Sequence, residues 1–406
     1  MTSPSAAFRC PTLLTCGFEV VPAPGAAESP AVHDAVLAWE DGVVTYAGPR
    51  EGFDGTVSGS WSGAVIPGFV DCHTHLPFAG WRDDEYEARL GGRSYRDQHG
   101  EGGIPRSARM LAGASDDEIL SFCRPILAEM LAQGTTALEL KTGYGLSVEA
   151  ELRQARVARR LAADAEQTAT VTLLACHAVP PDMDRAAWVD AACRELIPAA
   201  AAEGLADAVD IYVEDIAFSV DDLRRVAEAA GEAGLAVRCH ADQLGHSGAA
   251  EAATALGARS ADHLNHTGRR GVTALGRSRT AAVLLPASTL LLGAKRPPVA
   301  ALAEAGAAFA LATDCNPGTS AVASMPEAIA LGCALYRLSP LAALTAATAN
   351  AAWVLGLEDR LGSLEPGKRA DFLVLDAPEF RMVPYRPGHN PVAEVWLAGR
   401  RYTPAS

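Results

Sequence analysis

The tripeptide His73-Thr74-His75 places two imidazoles two residues apart. On a strand such residues share a face at about 6 to 7 Å, near enough for both rings to reach one ion. Alone, the pair is unremarkable on a half-buried strand. Here it is joined by Lys141, His177, Glu214, His240, His263 and Asp314, each at the end of a short apolar run, and five of the 10 histidines fall in this set. Neutral imidazoles with one carboxylate suit Zn²⁺ or Fe²⁺ and leave positions open for water, as a hydrolytic centre requires. A divalent ion in such a place lowers the pKa of water toward neutrality and polarises a carbonyl for attack. Asp314 is then suited to take the proton of that water and hand it to a leaving nitrogen. His263 is suited to hold the water or the developing oxyanion.

Eight runs must position these side chains: residues 64–75, 135–141, 170–177, 208–214, 236–240, 259–263, 280–285 and 308–314. Helical patterns over 116–133, 148–165, 220–233 and 298–305 separate most of them, with Ser219 and Asp222 spaced as an N-terminal cap. Eight alternating units predict an α/β fold, a (β/α)8 TIM barrel, in which the C-terminal strand ends face one shared cavity. The G-x-G-x-x-G and Walker turns expected of a nucleotide-binding open sheet are missing from the sequence. The Gly-rich stretch 77–115 reads as a functional loop. At the chain ends, Asp41-Gly42 between two apolar runs marks a hairpin, and residues 372–375 and 395–397 read as further strands. Neither end makes a core alone, so the two pair into one small β-sandwich domain. The expected limits are 1–64 and 359–406 for the two parts of that domain and 65–358 for the barrel.

The chain of 406 residues is 49% hydrophobic and 20% charged, enough to bury a large core and too apolar for disorder. Its 34 Lys and Arg against 49 Asp and Glu give a net charge of -15, which repels phosphate backbones and anionic lipid. Neither nucleic acid nor a membrane is an expected partner. The apolar stretch 281–294 is broken by Pro286 and falls short of the roughly 20 residues that a membrane span needs. The N-terminus shows no basic segment ahead of an apolar run, and none of the 9 cysteines forms a C-x-x-C pair. Cys72, Cys176, Cys239 and Cys315 adjoin a His or Asp and so point to the opposite face of a strand, as packing residues. A cytoplasmic location with reduced thiols is expected.

The run Pro67-Gly68-Phe69-Val70-Asp71-Cys72-His73-Thr74-His75 resembles the first-strand signature of the amidohydrolase superfamily, and Leu364-Glu365-Pro366-Gly367-Lys368-Arg369-Ala370-Asp371 resembles its C-terminal return to the β domain. Within the superfamily the chain is most similar to the imidazolonepropionase family. Supporting segments run from His75 to Arg82, Lys141 to Leu146, Cys176 to Pro180, His240 to Leu244, Ser260 to Leu264 and Ala312 to Thr319. The resemblance implies one divalent metal on His73, His75, His240 and Asp314. It implies ring and carboxylate contacts at Arg82, Tyr95, Tyr144, His177 and Gln243, product contacts at Asn316, Gly318 and Thr319, and a homodimer. The implied reaction is hydrolysis of the cyclic amide of 4-imidazolone-5-propanoate to N-formimidoyl-L-glutamate, in histidine degradation.

Gln243 discriminates within the superfamily. Deaminases usually carry Glu three residues after the fifth-strand His, where it shuttles a proton; a Gln cannot do so but can hydrogen-bond a ring amide. Arg82 offers the planar fork suited to a carboxylate. Glu214 pulls the other way, since a carboxylate on a middle strand can bridge a second metal; a supporting role beside one metal is preferred. Two loops depart from the family pattern, at residues 101–106 and 286–290, and both are candidates for contact with substrate. The alternatives are an amidohydrolase or deaminase for another carboxylate-bearing heterocycle, and a non-catalytic scaffold on the same fold, which would be expected to have lost ligands.

Overall fold

A computed structural model describes residues 5–17, 31–94, 97 and 102–403. Five strands precede the barrel: β1 (Ala6–Leu14), β2 (Ala31–Glu40), β3 (Val43–Pro49), β4 (Gly59–Ser60) and β5 (Val65–Pro67). The barrel strands are β6 (Phe69–Asp71), β7 (Thr135–Lys141), β8 (Thr168–Cys176), β9 (Ala208–Val213), β10 (Ala236–Ala241), β11 (Ser260–His263), β12 (Ala281–Leu284) and β13 (Phe309–Leu311). After them come β14 (Phe372–Leu375), β15 (Val392–Leu397) and β16 (Arg400–Arg401).

Strands β6 to β13 pair in sequence order, each parallel to the next. Most are buried along their whole length, because helices cover the outside and side chains fill the inside. Serine caps start several of these helices. Ser115 and Glu118 form a capping box before Asp116–Ala132, and Ser219 and Asp222 do the same before Val220–Glu232. The barrel closes just beyond β6 and β13. Thr74 and Cys315 form a parallel bridge, Asp314 N donates to His73 O at 3.0 Å, and His75 N donates to Cys315 O at 2.8 Å. The closing seam therefore runs through three of the candidate metal ligands.

The chain ends build one sheet in the order β16-β15-β14-β5-β1-β2-β3, with β4 beside β1. Trp39 on β2 and Trp396 on β15 lie four strand steps apart along this path, yet their rings approach to 5.4 Å. Flat strands would hold them nearly 20 Å apart. The sheet therefore folds over on itself and buries Trp39, Phe372, Leu13 and Leu37 between its halves.

Two local expectations change. Residues 64–75 are not one strand: β5 pairs with β14 and β1 in the terminal sheet, whereas β6 pairs with β7 in the barrel. The crossing falls at Gly68, where a Cβ would overlap the Thr136 side chain. The stretch 77–115 is not simply loop, since it carries helices Asp83–Leu90 and Gly103–Gly113. Among the described residues no helix is long and apolar enough to cross a membrane.

Candidate metal centre and substrate cavity

Strand alternation sends His73 and His75 to the same side of the seam, and their Nε2 atoms stand 3.2 Å apart. His240, at the end of β10, brings its Nε2 to 3.5 Å from His75 Nε2. Asp314 Oδ1 lies 3.4 Å from His75 Nε2 and 3.6 Å from His73 Nε2. The ligand atoms of His73, His75 and Asp314 lie within 4.8 Å of one another, as do those of His73, His240 and His263. His263 follows the inward-facing Asp262, and alternation alone would turn it outward. Left-handed backbone at His263 (φ 75°) and Leu264 (φ 62°) swings the ring to the cavity instead.

A layer of buried charge supports these rings from below. His73 Nδ1 donates to Asp262 Oδ2 at 2.6 Å, and His240 Nδ1 lies 3.0 Å from Asp210 Oδ2. Arg238 binds Asp262 at 2.9 Å and also reaches Glu139, and Lys141 binds Asp210 at 2.5 Å and Glu139 at 3.1 Å. All five charged side chains are fully buried or nearly so. Burial works against the Asp210 carboxylate, but His240, Lys141 and Arg238 outweigh it and hold its pKa well below the usual range. Burial, reinforced by neighbouring cations, drives His73 and His75 well below the ordinary histidine pKa. Those two rings are neutral, and a carboxylate stands at Nδ1 of His73 and of His240. With Nδ1 so engaged, Nε2 of each is turned to the cluster, and the set fits a divalent cation.

The strand ends line a cavity that opens to solvent, with about 360 Å³ of space in all, bounded by His75, His240, His263 and Asp314 on one side and by Arg82, Tyr144, His177, Gln243, Asn316 and Thr319 around them. His177 Nδ1 bonds Gly143 O at 3.0 Å, and burial keeps the ring well below its ordinary pKa. Its Nδ1 therefore carries the proton, and Nε2 is an acceptor. Burial lowers His263 to about 3, so it too is neutral. Burial raises Asp314, against the opposing pull of His263 and His240.

Arg82 is buried at the cavity edge, with Nη1 donating to Gly103 O and to Ser107 Oγ at 3.0 Å and Nε 3.3 Å from Glu85. Asn316 accepts from the backbone of Gly318 at 2.9 Å and of Thr319 at 2.7 Å, and so shapes its own loop. Gly318 does not line the cavity. It lies behind Arg82, where a Cβ would overlap the guanidinium. His73 also stays beneath the cavity floor, and Tyr95 lies outside the described residues. Glu214 faces away from the ligand cluster. It accepts from Leu244 N at 2.8 Å and from the Gln243 backbone, and burial lifts its carboxyl to about 7.

Ile104, from the loop 101–106 that sequence reading singles out, and Tyr212, which it misses, complete the lining; of the charged layer beneath it names only Lys141. A signal for that layer exists: Glu139 and Lys141, Arg238 and His240, and Asp210 and Tyr212 are spaced two apart within otherwise apolar runs, and each pair shares the inner face. Both unusual loops meet the site. Ile104 lines the cavity and a Ser288 hydroxyl hydrogen-bonds Asp314, whereas Glu101 lies outside the described residues.

The amidohydrolase family model matches residues 64–401. The imidazolonepropionase of Rubrobacter xylanophilus is 49% identical over 339 residues, which cover 83% of this chain and 81% of that protein. That of Deinococcus radiodurans is 44% identical over 371 residues, covering 91% and 92%. An adenosine deaminase from Xanthomonas campestris with bound zinc matches in structure with TM-score 0.69 at 20% identity, over 98% of this chain and 92% of that one. Guanine deaminase of E. coli matches with TM-score 0.71 at 18% identity, over 98% and 99%. These two likenesses are of fold.

Proposed function

The chain belongs to the imidazolonepropionase family of amidohydrolases, and from that premise we propose that its cavity opens 4-imidazolone-5-propanoate to N-formimidoyl-L-glutamate with one divalent ion held by His73, His75, His240 and Asp314. It is a hydrolase of a cyclic-amide carbon–nitrogen bond and acts in histidine degradation. The observation that carries the ligand assignment is the convergence of His73, His75 and Asp314, on the closing seam, with His240 from β10, so that three imidazole nitrogens and one carboxylate oxygen meet at the cavity floor. Zn²⁺ and Fe²⁺ both suit such a set. When bound, the ion would acidify water and polarise the substrate carbonyl.

The chain's own groups do the remainder. Asp314, whose carboxylate faces the cavity, takes the proton from the attacking water and returns it to the ring nitrogen as the carbon–nitrogen bond breaks. His263 is neutral and donates a hydrogen bond to the oxyanion. His177 Nε2 accepts from a ring N–H, and the Gln243 amide both donates and accepts. Arg82, Tyr95 and Tyr144 receive the propanoate tail, while Asn316, Gly318 and Thr319 shape the product side. All of this machinery falls between the crossing at Gly68 and the proposed limit at residue 358, in the barrel. The reading extends to a cytoplasmic homodimer without nucleic-acid or membrane partners, in keeping with the net charge of -15 and with nine cysteines, an odd number that includes no C-x-x-C pair.

The test is turnover of freshly prepared imidazolone propanoate, followed by loss of its ultraviolet absorbance and by appearance of N-formimidoyl-L-glutamate. Rapid decay with that product supports the reading. Decay no faster than the spontaneous rate, in metal-loaded protein, contradicts it.

A further inference from the structure

The turn after β7 carries Tyr144, and its backbone is held in an unusual way. Four consecutive amide N–H groups, at residues 143–146, point to two side chains of the helix Val148–Asp164. Glu151 Oε1 accepts from Gly145 N at 2.7 Å and Leu146 N at 3.0 Å, while Oε2 accepts from Gly143 N at 3.0 Å. Gln154 Oε1 accepts from Tyr144 N at 2.9 Å and Gly143 N at 3.2 Å. Successive N–H groups arranged like this form a nest for an anion, and here the chain fills it with its own carboxylate. It is not an ordinary helix cap. Ser147 caps the helix at Ala150 N, and Glu151 reaches back past it.

Two more bonds carry the arrangement into the cavity. Gly143 O accepts from His177 Nδ1 at 3.0 Å, so the turn orients that ring. Gln154 Nε2 donates to Pro77 O at 2.8 Å, which ties the same helix to the segment between His75 and Arg82. Glu151 and Gln154 are each only 1% exposed and touch none of the cavity. Gly145 is required for the close approach, because a Cβ there would overlap the backbone of Glu151.

We propose that Glu151 and Gln154 are positioning residues for substrate recognition, locking Tyr144 and His177 on one loop and the His75–Arg82 segment on another into a single recognition geometry. The inference rests on the assignment of Tyr144 to substrate made above. With both residues in place the cavity wall is preorganised. Without either, the Tyr144 turn has orphaned amides and shifts, and the substrate must bind a wall that is no longer set.

The experiment is a double-mutant cycle on imidazolone propanoate turnover, with metal content and thermal unfolding measured on the same preparations. Gln154→Met has similar length but cannot hydrogen-bond. It should raise KM about tenfold with kcat changed less than about threefold and metal content unchanged. Tyr144→Phe should raise KM as well. In the double variant the two effects should fall well short of their product, because Gln154 acts through Tyr144. If Gln154→Met does not fold, Glu151→Gln serves, since it keeps one acceptor oxygen and loses the other. An unchanged KM in the soluble variant, or effects that multiply independently, overturns the proposal and leaves the pair as stabilisers of the helix. If Tyr144→Phe alone leaves KM unchanged, the assignment of Tyr144 falls and this inference falls with it.

Discussion

His73 Nδ1 donates to the same Asp262 oxygen that Arg238 reaches, at 2.6 Å and 2.9 Å respectively. One carboxylate thus fixes the proton of a candidate ligand while a buried cation balances its charge. Asp262→Asn keeps the shape but loses the charge and leaves Arg238 half-paired. Removing such an outer partner should weaken metal affinity about 10- to 100-fold. Competition with a chelator measures it, and an unchanged affinity would remove Asp262 from the support of the centre.

His240 supplies the one candidate ligand that lies away from the closing seam, on β10. In His240→Ala, turnover and metal retention should be lost together, with cooperative unfolding preserved. Full activity in this variant would take His240 out of the ligand set.

Gly318 acts through Arg82. A methyl group at residue 318 would displace the guanidinium, so Gly318→Ala should raise KM by about tenfold or more. Arg82→Ala should do the same for a substrate bearing a carboxylate and also destabilise the fold, because Glu85 loses one of its two cationic neighbours and Gly103 O loses a donor. Michaelis parameters and unfolding midpoints for both variants separate the two effects.

Burial raises the Glu151 carboxyl to about 7, well above its ordinary value of 4.5. The folded chain therefore binds a proton there more tightly than the unfolded chain. The stabilisation from that proton is complete below the unfolded pKa and is lost as pH rises through the folded value. Relative to Glu151→Gln, which does not titrate, the wild type should lose stability from about pH 5 to about pH 8, by up to about 3 kcal/mol. Denaturant unfolding across that range measures the difference, and a constant difference would contradict a raised pKa at Glu151.

Much of the site was legible because catalytic groups interrupt apolar strands. His240 and Asp314 each end a hydrophobic run, and barrel topology brings such ends together. Other features lay beyond pattern reading. Residues 64–71 are continuously buried, so nothing in their polarity marks the passage from one sheet to the other at Gly68. The orientation of His263 depends on a left-handed backbone that the alternation rule does not contain. Gly318 matters for the side chain it leaves room for, a relation visible only once Arg82 is folded against it. The charged layer of Glu139, Lys141, Asp210, Arg238 and Asp262 was readable in principle, since buried charges on all-apolar strands need partners and period two gives their face.

The decisive measurement is turnover as a function of metal added back to chelator-stripped protein, with bound metal counted on the same samples. Turnover should start near zero, rise in proportion to bound Zn²⁺ or Fe²⁺, and level off at about one ion per chain. Full turnover in the stripped protein, or a plateau at about two ions, would contradict a single-ion hydrolytic centre on His73, His75, His240 and Asp314.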